Sequence, residues 1–343
     1  MNDRIKRIAA LCLVLILTLP AAVFAHEPGE STRSGGEKGI IFIAMGPSNN
    51  FAMVDIATEK VMRTVEGPVN PHGIAVSPDG KRVYLTSRNP DKKTATSPSD
   101  FPVTVFEVST GRLVAKVDVG GESHHAWMSP DGTQVYVTVP SLEGIAVIDT
   151  ASNKVVKVVE TGYKANSVAT SPDGKIIYVL NKGDDTLAVV DRKTLRVTKT
   201  VDVSKGPDHL SVSPDGAFIY LTAAFDNELN AIRTQTLEVA FRASVGKGPH
   251  GIAVSSDGRK VFASNRGEGT VSEYSAPDLK KIRTISPGTG PGHVSVAPGG
   301  KYVYINDEAE TKTYIYDPDA GKVINTVNLW PEPHEMTFFI PGR

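Results

Sequence analysis

From residue 39 to residue 342 the chain repeats one order of apolar and polar stretches, with a period near 42 residues. An apolar run, Ile74-Ala75-Val76, leads into Ser77-Pro78-Asp79-Gly80. In that tetrapeptide Pro presets φ and Gly accepts a positive φ, which predicts a tight turn. A second run, Arg82–Thr86, is rich in β-branched and aromatic residues and reads as a strand. After a polar turn comes a third strand, such as Gly144–Asp149. A further turn, Thr150–Lys154, leads to a fourth, Val155–Glu160. The turn recurs at Ser129–Gly132, Ser171–Gly174 and Ser213–Gly216, and degrades to SSDG at Ser255–Gly258 and APGG at Ala297–Gly300. Four short strands in each repeat of this length predict a propeller blade.

The ends of the pattern predict how the ring closes. It enters on a second-strand pattern, Gly39–Gly46, with no first strand before it. The missing strand stands at the other end, as His334–Phe339 followed by Ile340-Pro341. The expected fold is all-β: a seven-bladed β-propeller with four antiparallel strands per blade, blade 1 completed by the C-terminal strand. Residues 39–343 form it as one domain.

The start of the chain follows different rules. Arg4, Lys6 and Arg7 precede the apolar run Ile8–Leu19, and Val23-Phe24-Ala25 offers a small-residue cleavage site. Residues 1–25 therefore read as a secretory signal peptide, and residues 26–38 as a flexible polar leader. The expected location is periplasmic or secreted, with no transmembrane segment after cleavage. The one cysteine, Cys12, lies in the signal, so the mature chain has no thiolate or disulfide chemistry. Without the signal, 34 basic face 37 acidic side chains and no basic block remains, which argues against nucleic acid as a partner. A monomer is expected.

Candidate chemistry lies in the histidines. Seven of the eight fall in two adjacent columns of the repeat. The first holds His72, His124, Asn166, Asp208, His250, Gly292 and His334. The second holds Gly73, His125, Ser167, His209, Gly251, His293 and Glu335. The spacing is 52 residues for the first step and 42 for the others. Chance would place fewer than one histidine there. Both columns precede the innermost strand, so they are expected at one mouth of the central channel.

The ends of the second strands reach the same mouth. They bring Arg88, Lys182 and Arg266, in register with one another, and Asp307-Glu308. The extra residues of blade 2, within Arg88–Phe101, also belong there as a lid or partner-binding arm.

Converging neutral imidazoles suit a transition metal. Copper is favoured in a thiolate-free, oxidising compartment, with Asp208 and Glu335 as ligands or supporting acceptors. Neighbouring residues of an extended strand point to opposite sides. His72, His124, His250 and His334 are therefore the expected metal cluster, and His125, His209 and His293 a separate second set. Arg88, Lys182 and Arg266 would attract a small anionic substrate. The alternative for each histidine is structural, a hydrogen bond to the next blade's backbone. No Cys nucleophile, G-x-S-x-G elbow, H-E-x-x-H or phosphate-binding glycine loop is present.

The stretches PHGIAVSPDGKRVYLTS at Pro71–Ser87, SPDGTQVYVTV at Ser129–Val139 and SPDGKIIYVLN at Ser171–Asn181 resemble the YVTN-type β-propellers of bacterial secreted proteins. That resemblance implies the fold and leaves function open, since such propellers include binding proteins, scaffolds and enzymes. The histidine-lined mouth is similar to the copper mouth of the seven-bladed domain of nitrous oxide reductase, and to propellers that hold copper or a d-type haem. It implies a metal or haem-type cofactor. The chain lacks a cysteine-bearing electron-transfer domain, which excludes a complete enzyme of that kind.

Two other functions stay open. One is a non-catalytic scaffold for a periplasmic protein. The other is a metal-independent lactonase or lyase using His250, Asp208, Glu335 and Arg266.

Overall fold

The structure is a computed structural model that describes residues 38–89, 97, 100–329 and 332–342. Its strands form seven four-stranded antiparallel sheets arranged as the blades of a ring. Blade 3 shows how the repeat folds. Its strands are Ala126–Met128, Gln134–Val139, Gly144–Asp149 and Lys154–Glu160, in spatial order from the channel outwards. The predicted turn is present between the first two strands of blades 2 to 7. In blade 2, Gly80 N–H donates to the Ser77 carbonyl at φ 68°, and the Ser77 hydroxyl donates to Asp79 Oδ1.

Blade 1 closes as the terminal patterns require. Pro333–Phe339 pairs antiparallel with Ile40–Met45, which is followed by Asn50–Asp55 and Lys60–Glu66. No helix among the described residues is long and apolar enough to cross a membrane. The signal peptide, the leader up to residue 37, Cys12, His26 and Trp330 lie outside the described residues. So do residues 90–96 and 98–99 of the blade 2 insertion.

The core is divided into seven layers, one between each pair of neighbouring blades. The middle strands are buried on both faces, so they read as continuous apolar runs, as in Ile145–Ile148. Outer strands such as Lys60–Glu66 are almost wholly exposed. One aromatic per blade fills the layers: Phe42, Tyr84, Tyr136, Tyr178, Tyr220, Phe262 and Tyr304 occupy one register and are all buried. The layer that shuts the ring joins Ile41, Ile43, Met336 and Ile340 of blade 1 to Tyr304, Ile315 and Val327 of blade 7.

Met336 tests that closure, because it comes from the C-terminal strand alone. Met336→Ala is expected to cost about 2–5 kcal/mol and lower the thermal midpoint by roughly 4–10 °C. Val158→Ala, on an exposed outer strand, should move stability by less than about 0.5 kcal/mol. Thermal unfolding followed by circular dichroism checks both. Equal effects would mean that the C-terminal strand does not close the ring.

Candidate functional site

The inner strands carry an irregularity at the two histidine columns. In blade 2, Pro71 pairs with Ser87 and Ile74 with Leu85, so one extra residue is inserted between them. The same register shift occurs in blades 4, 5, 6 and 7, and in blade 1 between Pro333 and Met336. In blade 3, Thr138 faces two residues at once: its carbonyl accepts from His124 N–H and its N–H donates to the His125 carbonyl. This is a β-bulge, and bulges break the alternation of side chains across a strand.

The consequence corrects the expectation that neighbouring histidines diverge. The rings of His124 and His125 lie 4.3 Å apart, centroid to centroid, and at 89° to each other. All seven imidazoles form one continuous cluster. His334 is 3.7 Å from His72, His72 is 4.2 Å from His124, and His125 is 4.6 Å from His209. His209 is 4.3 Å from His250, and His293 is 4.5 Å from His334. The columns become two tiers. The first column lines an open mouth cavity of about 970 Å³, with His72, His124, Asp208, His250 and His334 on its wall. The second column, His125, His209 and His293, is buried.

A further column, not singled out by the sequence reading, holds the bulges in place. Thr138 Oγ1 accepts from the His125 N–H at 2.9 Å and donates to the Asn166 carbonyl of the next blade at 3.1 Å. Thr86 does the same between Gly73 and His124, and Thr222 between His209 and His250. Ser264 links Gly251 to Gly292, and Asn306 donates to the His334 carbonyl. Its signal was available as a polar residue two positions before Arg88, repeating in register, but Thr86 was read only as a strand former. Gly73 serves close approach here: a Cβ would lie 2.7 Å from the His124 carbonyl oxygen and 2.8 Å from Ala126 N.

Side-chain bonds run from blade to blade within the mouth. His124 Nδ1 is 3.1 Å from the Asn166 carbonyl. Asn166 Nδ2 donates to Asp208 Oδ1 at 2.7 Å, and His250 Nδ1 is 3.0 Å from Asp208 Oδ2. Asp208 also receives Lys182 Nζ at 3.1 Å. Burial alone would raise this carboxyl, but the bonds from His250 and Lys182 outweigh it and hold Asp208 well below the usual carboxylate range. Glu335 is the opposite case. Burial pushes it up to about 8, against a bond from the Ile74 N–H. Its Oε2 lies 3.2 Å from His125 Nδ1.

The three predicted cations all reach the cavity wall, yet each is engaged by a carboxylate. Arg88 pairs with Glu122 at 3.3 Å, Lys182 with Asp208, and Arg266 with Glu308. Their pull on an anion is therefore partly neutralised, and Arg266, half exposed, keeps the most donors open. Glu308 is buried and raised by that burial, with Arg266 acting against it.

Imidazoles packed this closely are kept neutral. His72, His124, His209, His293 and His334 are all lowered well below the ordinary histidine value, first by burial and then by neighbouring rings. His125 is driven down to about 3. Several ring nitrogens are buried with no hydrogen-bond partner: Nδ1 of His72 and His334, both nitrogens of His125 and His209, and Nε2 of His250 and His293. Each such group costs about 1–3 kcal/mol of desolvation when left unpaired.

Three sets of side chains place their ligand atoms within 4.8 Å of one another. They are His72, His124 and His125; His209, His250 and His293; and His293, Glu308 and His334. No set gathers all four of His72, His124, His250 and His334.

Comparison with known proteins adds a family. Residues 60–338 match a family model described as "Lactonase, 7-bladed beta-propeller". No curated protein matches the chain. Among solved structures, the periplasmic gluconolactonase of Pseudomonas aeruginosa aligns with TM-score 0.74 and 21% identity, over 88% of this chain and 99% of that one. Hydrazine synthase of Kuenenia stuttgartiensis aligns with TM-score 0.69 and 21% identity, over 85% and 99%. A functionally unknown protein from Desulfotomaculum acetoxidans aligns with TM-score 0.73 and 15% identity, over 88% and 99%. At these identities the likeness is one of fold.

The neutral cluster makes stability depend on pH. Unfolded histidine titrates near 6.5. Below that pH the unfolded chain takes up protons that the six lowered histidines refuse, so their contribution to stability is full above about 6.5 and is lost as pH drops. Each excluded proton contributes up to about 1.4 kcal/mol per pH unit. Urea unfolding of metal-free protein between pH 8 and 5 should show a midpoint falling steeply below about pH 6.5. There the six histidines outweigh the raised carboxyl of Glu335, which acts in the opposite sense up to about pH 8. A flat profile throughout would mean that these imidazoles are not buried together.

Proposed function

The chain belongs to the seven-bladed lactonase propeller family, and from that membership we propose that it hydrolyses a lactone at the histidine-lined mouth without needing a metal ion. The observation that carries this reading is the His250–Asp208 pair. An ionised carboxylate only accepts, so the bond to Asp208 puts the proton of His250 on Nδ1. Nε2 then bears a lone pair and has no partner. A base held by a buried carboxylate is the arrangement that activates a nucleophile.

Water admitted to this buried nitrogen with the substrate would attack the lactone carbonyl while His250 Nε2 takes its proton. The same ring would return that proton to the ring oxygen as the C–O bond breaks, giving a hydroxy acid. Arg266 and Lys182 stand in the same cavity. Their free N–H groups would bear the oxyanion of the tetrahedral state and the carboxylate of the product. Glu335, placed in this role by the sequence reading, lies under His125 and is better suited to orient that ring.

That the Pseudomonas aeruginosa neighbour is a gluconolactonase supports a sugar lactone as the substrate class. Its periplasmic description agrees with the secretory signal read from residues 1–25. The YVTN-type resemblance is to this same fold and specifies no substrate. A second reading, metal binding by the imidazoles, is favoured by the unpaired buried nitrogens and is taken up below. Copper or a haem-type cofactor would enter by that route, and a role as a scaffold for a periplasmic protein would leave the dyad without a task.

Acid release from δ-gluconolactone, followed in a pH-stat with chelator present, tests the hydrolase reading. The protein should exceed the buffer rate. His250→Ala and Asp208→Asn should each lower kcat about 10²–10⁴-fold. A wild-type rate equal to the buffer rate across several aldonolactones, or an unimpaired His250→Ala, would overturn it.

A further inference from the structure

The imidazole cluster is larger than a hydrolytic dyad requires. His72, His124 and His125 have no part in the mechanism above, and they come from two adjacent blades on a stretch of the mouth not shared with Asp208. Their ring nitrogens lie within 4.8 Å of one another. We propose that His72, His124 and His125 hold one late first-row transition ion, Cu(II) or Zn(II), at the boundary between the open mouth and the buried tier.

Four observations carry this assignment. First, the donor set is three neutral nitrogens with no thiolate, which suits borderline ions over calcium or magnesium. Second, the rings are oriented as ligating histidines are. His124 Nδ1 is 3.1 Å from the Asn166 carbonyl, so it is the donor and Nε2 is left with its lone pair. His125 Nδ1 lies 3.2 Å from Oε2 of Glu335, a carboxyl group near enough to orient a ligating imidazole. Third, His72 Nδ1 and His125 Nε2 are buried without a partner, and their side chains are 5% and 2% exposed. An ion supplies the missing partner. Fourth, His72 and His124 also line the mouth cavity, so one coordination position would open towards substrate-sized space.

The two other sets are poorer ligands. In the set with His209 and His293, His250 Nε2 is the nitrogen that the hydrolytic pair with Asp208 uses as its base, so an ion there would compete with that reading. In the set with His293 and His334, Glu308 is paired with Arg266, whose charge opposes a cation. Both also draw on His293, so they cannot fill independently. Arg88 is the cation nearest the proposed site, and Glu122 neutralises it.

The placement of His72 and His124 beside His125 also explains why the bulge matters. On a regular strand His125 would face away from its neighbour. Here both rings meet His72 across the gap that Gly73 keeps narrow.

The test uses the full chain, stripped with chelator, loaded with Cu(II) or Zn(II), desalted and analysed for metal. About one ion per chain should remain. Electron paramagnetic resonance of the Cu(II) form should show coupling to three imidazole nitrogens. His72→Ala and His124→Gln should lose the ion. His250→Ala, across the mouth, should keep it. Glu335→Gln should retain the ion but weaken its binding about 10–100-fold.

The proposal is overturned if wild type retains only trace metal, if fewer than three imidazole nitrogens couple, or if His250→Ala loses the ion while His124→Gln keeps it. The nitrogen count is read on wild type, so it decides the matter even where a variant fails to fold. Metal content and lactone turnover are separate readouts. Chelated protein that hydrolyses lactone but binds no ion sinks this proposal alone, and a bound ion without hydrolysis sinks only the hydrolase reading.

Discussion

No blade of this protein is stable by itself, because both faces of its middle strands are apolar and only neighbouring blades can cover them. The ring must therefore close, or two apolar faces are left in water. Closure is achieved by a strand borrowed from the far end of the chain: Pro333–Phe339 supplies the inner edge of a sheet whose other strands lie within residues 40–66. Met336 and Ile340 then complete the layer against Tyr304 and Ile315. The inner strands are held at fixed spacing around a channel, and everything at the mouth is positioned by that spacing.

Within this frame the bulges decide the chemistry. A regular inner strand would send one histidine column into the channel and the other into the packing between blades. The extra residue at each bulge lets both columns contribute to one cluster. Thr86, Thr138, Thr222, Ser264 and Asn306 stitch blades 2, 3, 5, 6 and 7 to the next blade at the bulges, and this makes the irregularity a rigid part of the ring. The cluster is held together against its own preference. Buried imidazoles with unpaired nitrogens lose hydration and gain little from one another. Such a site persists where the surrounding fold is over-determined, and sites of that kind are where function concentrates.

The mouth is divided in its electrostatics. On one side Asp208 collects Asn166, Lys182 and His250 into a charged, hydrogen-bonded group. On the other, His72, His124 and His125 are neutral, and His72 and His125 are short of partners. The first arrangement suits proton transfer and the second suits a cation with empty coordination positions. A shared rim of paired cations and carboxylates, Arg88–Glu122 and Arg266–Glu308, surrounds both.

Much of the architecture was legible without coordinates, because a period of 42 residues and a turn of fixed sequence are local properties of the chain. The repeat dictates blade number, strand order and the borrowed C-terminal strand, and the register of His72, His124, His250 and His334 puts them at one mouth. A metal-independent lactonase or lyase was open as an alternative on the strength of His250, Asp208, Glu335 and Arg266. What the sequence did not carry was direction. Whether His125 faces its neighbour or turns away depends on one inserted residue opposite Thr138, and no local signal distinguishes that bulge from a regular strand. The pairing of each mouth cation with a carboxylate was equally invisible, since Glu122 and Glu308 reach Arg88 and Arg266 across 34 and 42 residues. Periodicity therefore determined which residues meet at the mouth. Only the closed ring, through its bulges and its contacts between blades, decided which atoms face each other.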